Sequence, residues 1–245
     1  MRRSQIPAIS LFTGAGGMDL GFTRAGFEVR VAVEVDPAAC ETLERNFGVL
    51  HGRLIKRPLE EVTTAELLEV AGLELREAGI VFGGPPCQSW CIAGNRLGLH
   101  DPRGRSLLEF LRVVREAQPS TFCLENVPGL LNHSHFEGLN LIREELNQGT
   151  GEPYEVASDV LDAAVYGVPQ HRRRVFIVGW RGPGEFYFPA ATHHIAGAPA
   201  RGRRRSAVTV GEALRGLPLP SPPSEIAQRV ATTIPSRNER WYGKR

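Results

Sequence analysis

Cys87 stands in the run Gly83-Gly84-Pro85-Pro86-Cys87-Gln88, directly after the apolar residues 78–82. A cysteine on a stiff Pro-Pro turn at the carboxyl end of a strand is a candidate nucleophile, because ligands bind at that edge of open α/β sheets. The alternative is a small buried hydrophobe, which is what many free cysteines are. A free thiol ionises near pH ~8.5, so a working thiolate needs positive charge or backbone donors beside it. Two further groups have chemistry to offer. Glu125 opens Glu125-Asn126-Val127-Pro128 at the end of another apolar run, and a carboxyl there can act as an acid toward the substrate that Cys87 attacks. Gln170-His171-Arg172-Arg173-Arg174 precedes a third run, and alternation puts Arg172 and Arg174 on one face, facing an anion or a carbonyl.

A nucleotide-type site is written into the amino-terminal part. Phe12-Thr13-Gly14-Ala15-Gly16-Gly17 follows the apolar residues 7–12 and leads into a helix-like pattern. Glycines there allow sharp turning and close approach of backbone to ligand. The pattern is neither the dinucleotide fingerprint nor a phosphate-loop sequence, and a plain tight turn is the competing reading. Glu34 lies 20 residues beyond Gly14, at the end of the alternating run 27–33, where an acidic residue accepts hydrogen bonds from ribose hydroxyls. Asp36 before Pro37 reads as a helix cap instead.

The elements that position these residues follow from periodicity. Strands are expected at 7–12, 27–33, 79–82, 120–124, 154–161 and 174–180; helices at 38–47, 63–71, 106–117 and 134–147. The strand, helix, strand unit through 79–82 and 120–124 makes those strands parallel neighbours, so Cys87 and Glu125 face one pocket. The connection before 174–180 has no room for a helical crossover, so that pair is antiparallel. Residues 88–105 form a long polar loop of the kind that carries function.

Composition sets bounds. The 245 residues suffice for one sizeable core with an appendage, and 42% hydrophobic with 23% charged residues is ordinary for a globular protein. No apolar run approaches a membrane span, and no signal peptide is evident. The four cysteines show no C-x-x-C pairing, which favours a reduced compartment. Net charge is only +2, but nearly every basic residue is arginine, suited to phosphates and bases.

Taken in order across residues 8–181, the Phe12–Gly17 turn, Glu34, Pro85-Pro86-Cys87-Gln88, Glu125-Asn126-Val127 and the Gln170 to Arg174 run resemble the cytosine-C5 DNA methyltransferases. The resemblance implies a Rossmann-like α/β sheet with helices on both faces, an antiparallel edge strand, and S-adenosyl-L-methionine as cofactor. It makes Cys87 the nucleophile that adds to C6 of cytosine, turning the ring into an enamine with C5 electron-rich. Glu125 then binds the N3/N4 edge and gives N3 a proton, Arg174 holds the base O2, and Arg172 braces the site. Phe12, Gly14, Gly16, Gly17, Glu34 and Pro86 fall in the cofactor site; Gln88, Asn126 and Gln170 fall on the substrate side, Asn126 holding the local turn. No metal is implied. The base must leave the duplex, and loop 88–105 is the expected closing element.

The chain also departs from the family pattern. Ser10 stands where Asp is common. Arg53 stands where an acidic residue usually meets the adenine amine, leaving Glu60 or Glu61 as substitutes. A cofactor-contacting leucine is displaced onto Ser106, with Leu107 beside it, and Cys91, where serine is frequent, is expected to be a bystander. Residues 1–185 are expected to form the cofactor-binding and catalytic domain. Residues 186–245 read as a flexible Arg/Pro-rich segment with the start of an incomplete target-recognition region. The resemblance thus implies a restriction-modification type enzyme acting on double-stranded DNA. Its expected location is prokaryotic cytoplasm, associated with the nucleoid when bound to DNA. A second chain supplying the missing carboxyl-terminal blocks is a candidate partner. A tRNA cytosine-C5 methyltransferase, or an inactive or partner-dependent fragment, are the alternatives.

Overall fold

The computed structural model describes residues 5–48, 53–86, 105–132, 137–147, 152–195 and 205–216. Cys87, Gln88, Cys91, most of the polar loop after them and Arg201 to Arg204 therefore lie outside the described residues. Period-two alternation builds the centre of the molecule. The strands are β1 (Ile6–Leu11), β2 (Phe27–Val33), β3 (Leu54–Ile55), β4 (Ile80–Gly83), β5 (Thr121–Asn126), β6 (Glu155–Asp162) and β7 (Arg173–Trp180). They form one sheet in the order β3-β2-β1-β4-β5-β7-β6. All neighbours from β3 to β5 are parallel, while β7 is antiparallel to both β5 and β6. The antiparallel strand expected at the edge is thus inserted one place in, with β6 outside it.

Each face of this sheet has its own core. Ile9, Leu11, Val31, Val33, Val81, Phe122, Leu124, Val175 and Ile177 point to one side and pack with α3 (Thr64–Ala71), α4 (Arg105–Ala117) and α6 (Glu137–Asn147). Ala8, Ala32, Ile80, Phe82, Cys123 and Val178 point to the other, where α1 (Gly17–Arg24) and α2 (Pro37–Asn46) supply Met18, Phe22, Leu43 and Phe47. Phe22 stacks on Phe82 with ring centroids 4.1 Å apart. Near-complete burial of such side chains is worth about 1.5–3 kcal/mol apiece before conformational entropy is counted. A short helix α5 (Gly129–Asn132) follows β5, and β8 (His193–His194), β9 (Arg205–Ser206) and α7 (Val210–Leu214) lie beyond β7.

Helix boundaries follow their caps. Asp36 accepts from the Ala39 amide at 2.8 Å with Pro37 in the first turn, as its sequence position implies. Thr63 caps α3 through the Glu66 amide, and Thr209 with Glu212 forms a capping box on α7. The two-residue strand β3 was not expected: it is too short to show alternation and is held by pairing with Ala32 and Val33. Gly83 also differs from its expected role as a strand stop. It is the last residue of β4, in register with Leu11 and Leu124, and a Cβ there would lie 2.2 Å from the Leu11 carbonyl oxygen.

Gly179 plays the same part across the β5–β7 pair, where it faces Phe122 and an added Cβ would meet that ring at 2.0 Å. Phe122 is fully buried and packs edge-on against Phe110 and Tyr154, so it has nowhere to retreat. Gly179→Ala should therefore lower stability by about 1–3 kcal/mol in urea unfolding; an unchanged midpoint would show that the ring has room to move.

Candidate active site

The carboxyl ends of the parallel strands converge with the amino end of β7. Leu11 is in register with Val33 on one side and Gly83 on the other, and Gly83 with Leu124, so Glu125 and Asn126 project just past that line. Because β7 runs the other way, its first residues reach the same edge. There Arg174 Nε forms an ion pair with Glu125 Oε1 at 3.1 Å, and Arg172 brings an Nη to 3.8 Å from the same oxygen. Both arginines expected on one face therefore meet one carboxylate. Gly84 leaves that carboxylate its space: a Cβ at residue 84 would lie 3.0 Å from Glu125 Oε2.

Asn126 is buried and bridges two strand ends. Its Nδ2 donates to the Pro85 carbonyl at 3.2 Å and its Oδ1 accepts from the Val127 amide at 2.8 Å. The turn that carries Pro86 toward Cys87 is thereby tied to β5. Pro86 itself is exposed at the rim, as is Gln170.

A second side chain, Asp162 at the end of β6, organises the arginine run. Its Oδ1 accepts from the amides of Ala164 (3.1 Å) and Arg172 (3.0 Å), and its Oδ2 lies 3.0 Å from His171 Nδ1. The His171 hydrogen bond, aided by the backbone donors, holds its carboxyl below the usual carboxylate range. Sequence reading missed Asp162, since a carboxylate at a strand end has no distinguishing pattern.

The glycine turn lies beside this cluster. Gly14 and Gly16 have left-handed φ of 58° and 85°, the freedom attributed to them from sequence, and Phe12 shares it with φ 53°. A left-handed Phe is strained, and such strain gathers where a site needs a particular backbone. Glu34 is held by three amides: Oε2 accepts from Gly14 at 2.6 Å, and Oε1 from Val35 and Asp36, each at 2.8 Å. A carboxylate has about four acceptor positions, so capacity remains on Oε2 for a hydroxyl donor.

Between the turn and the Glu125 cluster lies a cavity of about 180 Å³. Phe12, Thr13, Asp19, Gly84, Glu125 and Arg172 are among its lining residues; Gly14, Gly16, Gly17 and Glu34 are outside it. Asp19 was not singled out in the sequence, where an acidic residue in the first turn of a helix reads as an ordinary complement to the helix dipole. In the fold it is fully buried, and among the described residues neither carboxylate oxygen has a hydrogen-bond partner. Burial pushes its carboxyl up to about 6, with the nearby Ser10 hydroxyl opposing. Buried Cys123, by contrast, is pushed up to about 12 and reads as an inert thiol.

Among the described residues no group of three or more His, Cys, Asp or Glu side chains could hold a metal ion. None of their helices is long and apolar enough to cross a membrane.

Residues 6–199 match the family described as C-5 cytosine-specific DNA methylase. The type II methyltransferase M.AquIA of Picosynechococcus is 45% identical over 243 residues, covering 94% of this chain and 96% of that protein. The type II methyltransferase M.FnuDI of Fusobacterium nucleatum is 43% identical over 173 residues, 71% of this chain but 46% of its own length. The chain thus spans nearly all of the first relative and about half of the second. In fold it is similar to the Schizosaccharomyces pombe Dnmt2 methyltransferase, with a TM-score of 0.56 at 21% identity over 74% of this chain and 53% of that one.

Asp19 also has a direct consequence for stability. Its folded pKa of about 6 exceeds the ordinary value of 3.8, so the folded state binds the proton more tightly than the unfolded state does. Stability should therefore be highest below pH ~4 as far as this group is concerned, and fall as pH rises through about 6, by roughly 3 kcal/mol in total. Asp19→Asn removes the charge and should flatten that portion of the profile in urea unfolding between pH 4.5 and 7.5. A mutant profile parallel to the parent's would mean that Asp19 does not carry it.

Proposed function

Because this chain belongs to the C-5 cytosine-specific DNA methylase family, we propose that it methylates C5 of a cytosine flipped out of duplex DNA, using S-adenosyl-L-methionine and the thiol of Cys87. The supporting observation is the convergence of Arg172 and Arg174 on Glu125 at one edge of the sheet, where Glu125 and Arg172 line the cavity beside the turn that leads from β4 toward Cys87. The family chemistry acts on DNA and needs a methyl donor. The residues present fit the proposed one. Glu34 is fixed by three amides with acceptor capacity left for ribose hydroxyls, and the cavity next to it ends in an unpartnered buried carboxylate.

C5 of cytosine is a weak nucleophile until a group adds at C6. In this proposal the Cys87 sulfur forms a bond to C6 while N3 takes a proton from Glu125, which gives an enamine with its electron density on C5. Arg174 donates to the base O2 as charge builds there, and Arg172 keeps the Glu125 carboxyl in register with the ring edge. Asn126 holds the Pro85 carbonyl and hence the turn from which Cys87 is presented. S-adenosyl-L-methionine, when bound, supplies an electrophilic methyl group to C5. Loss of the C5 proton to a base then restores the double bond as the Cys87–C6 bond breaks, the sulfur leaves as a thiolate, and N3 returns its proton to Glu125.

Duplex DNA with 5-fluorocytosine at the target should trap a covalent protein–DNA adduct, because fluorine cannot leave as the C5 proton does. Cys87→Ser should abolish the adduct and Cys91→Ser should leave it; an adduct surviving Cys87→Ser would overturn the assignment. Glu34→Gln should weaken cofactor binding by about 1.5–3 kcal/mol in calorimetry through loss of a charged acceptor. Unchanged affinity would remove Glu34 from the site.

A further inference from the structure

We propose that Asp19 is the counter-charge for the ammonium group at the amino-acid end of the cofactor, and so determines selectivity for ligands carrying that group. This rests on the cofactor reading above. Among the described residues, Glu125 and Asp19 are the two carboxylates lining the cavity. Glu125 is committed to Arg174 and Arg172, whereas both oxygens of Asp19 are buried without a partner among the described residues. The Ser10 hydroxyl and the residue's own backbone amide are near enough to oppose the rise in its pKa, but neither makes a hydrogen bond to it, and Ser10 Oγ lies 3.0 Å from Thr13 Oγ1. An isolated charge in a protein interior is costly, and such groups are normally paired. A cation lodged in the cavity that Asp19 lines would pair with the ionised carboxylate. Direct contact is not required, because charges separated by protein rather than water interact strongly.

The position of Asp19 on α1 fits one end of the ligand better than another. Asp19 is in the first turn of the helix, whose leading amides, with Met18 on the cavity lining, present partial positive charge and suit a carboxylate. Gly16, the residue before the helix, contributes no side-chain cap. An amino-acid group carries both signs on adjacent bonds. Its carboxylate suits the helix amides, and its ammonium needs a negative group within the same turn. Asp19 is that group, whereas Glu34 lies outside the cavity and is fixed beside the turn at Gly14.

The test compares two ligands by calorimetry: S-adenosyl-L-homocysteine, and its deaminated analogue, which keeps the carboxylate and lacks only the ammonium. Asp19→Asn and Asp19→Ser should each weaken the homocysteine compound by at least about tenfold while changing the analogue by less than about threefold. The analogue serves as the folding control, since a collapsed site would lose both. Equal losses for the two ligands would overturn the proposal and leave Asp19 a structural residue; so would unchanged binding of S-adenosyl-L-homocysteine. Failure of the unaltered protein to bind S-adenosyl-L-homocysteine would overturn the cofactor reading, and this inference with it.

Discussion

A carboxylate and two guanidinium groups share one edge of the sheet because β7 runs against its neighbours. Glu125 is paired in register with Phe176, and Arg174, two residues earlier on β7, falls on the same face as its diagonal neighbour. That diagonal separation of ~7–8 Å is within reach of an arginine. Were β7 parallel, its first residues would emerge at the opposite edge, some 25 Å away at about 3.3 Å per residue. Reversing one strand is thus what brings a segment late in the chain to the ends of β1, β4 and β5. The β6–β7 hairpin supplies that reversal, and Asp162, at the last position of β6, ties its connection to Arg172.

Much of this was legible before the fold was known, and the reason is burial. Strands enclosed on both faces must be apolar at nearly every position, so β1, β4 and β5 stand out as short runs bounded by breakers. The antiparallel pairing of β6 and β7 followed from a connection too short for a crossover. The cap at Asp36 was legible because Asp-Pro at a helix start has few other uses. What sequence could not show was the meaning of residues whose role is set by non-local neighbours. Gly83 reads as a stop, yet its purpose is to let two backbones approach. Asp19 reads as a helix-dipole residue, yet the sheet beneath and the turn beside it remove its solvent. β3 exists only through its partner, since two residues carry no periodicity.

The same distinction separates the side chains proposed to react from those that hold them. Glu125, Arg172 and Arg174 were visible as residue types suited to acid and anion chemistry. Asn126, also marked from sequence, turns out to spend both ends of its amide on backbone, at Pro85 and Val127. Asp162 behaves in the same way and was not marked. Such braces matter because a hydrogen-bonding site must hold its geometry before the substrate arrives. Their chemistry is unremarkable in sequence, where an Asn after a Glu or an Asp at a strand end is common.

Two features of the cavity run against folding stability. Phe12 occupies a left-handed backbone conformation that costs on the order of 1 kcal/mol or more, and Asp19 keeps a carboxylate away from water without a partner. Neither feature is confined to the cavity, since Arg76 and Gln118 are also left-handed and Arg30 Nε and Arg181 Nε are also buried without a hydrogen bond among the described residues, but only at the cavity do a strained backbone and a buried carboxylate coincide. A ligand that binds only the folded state returns stability in proportion to its concentration and affinity. A cation beside Asp19 would do so by converting the most costly group in the cavity into half of an ion pair. On the proposed reading, the cavity is a part of the core that the described residues leave incomplete, with the ligand as its last component.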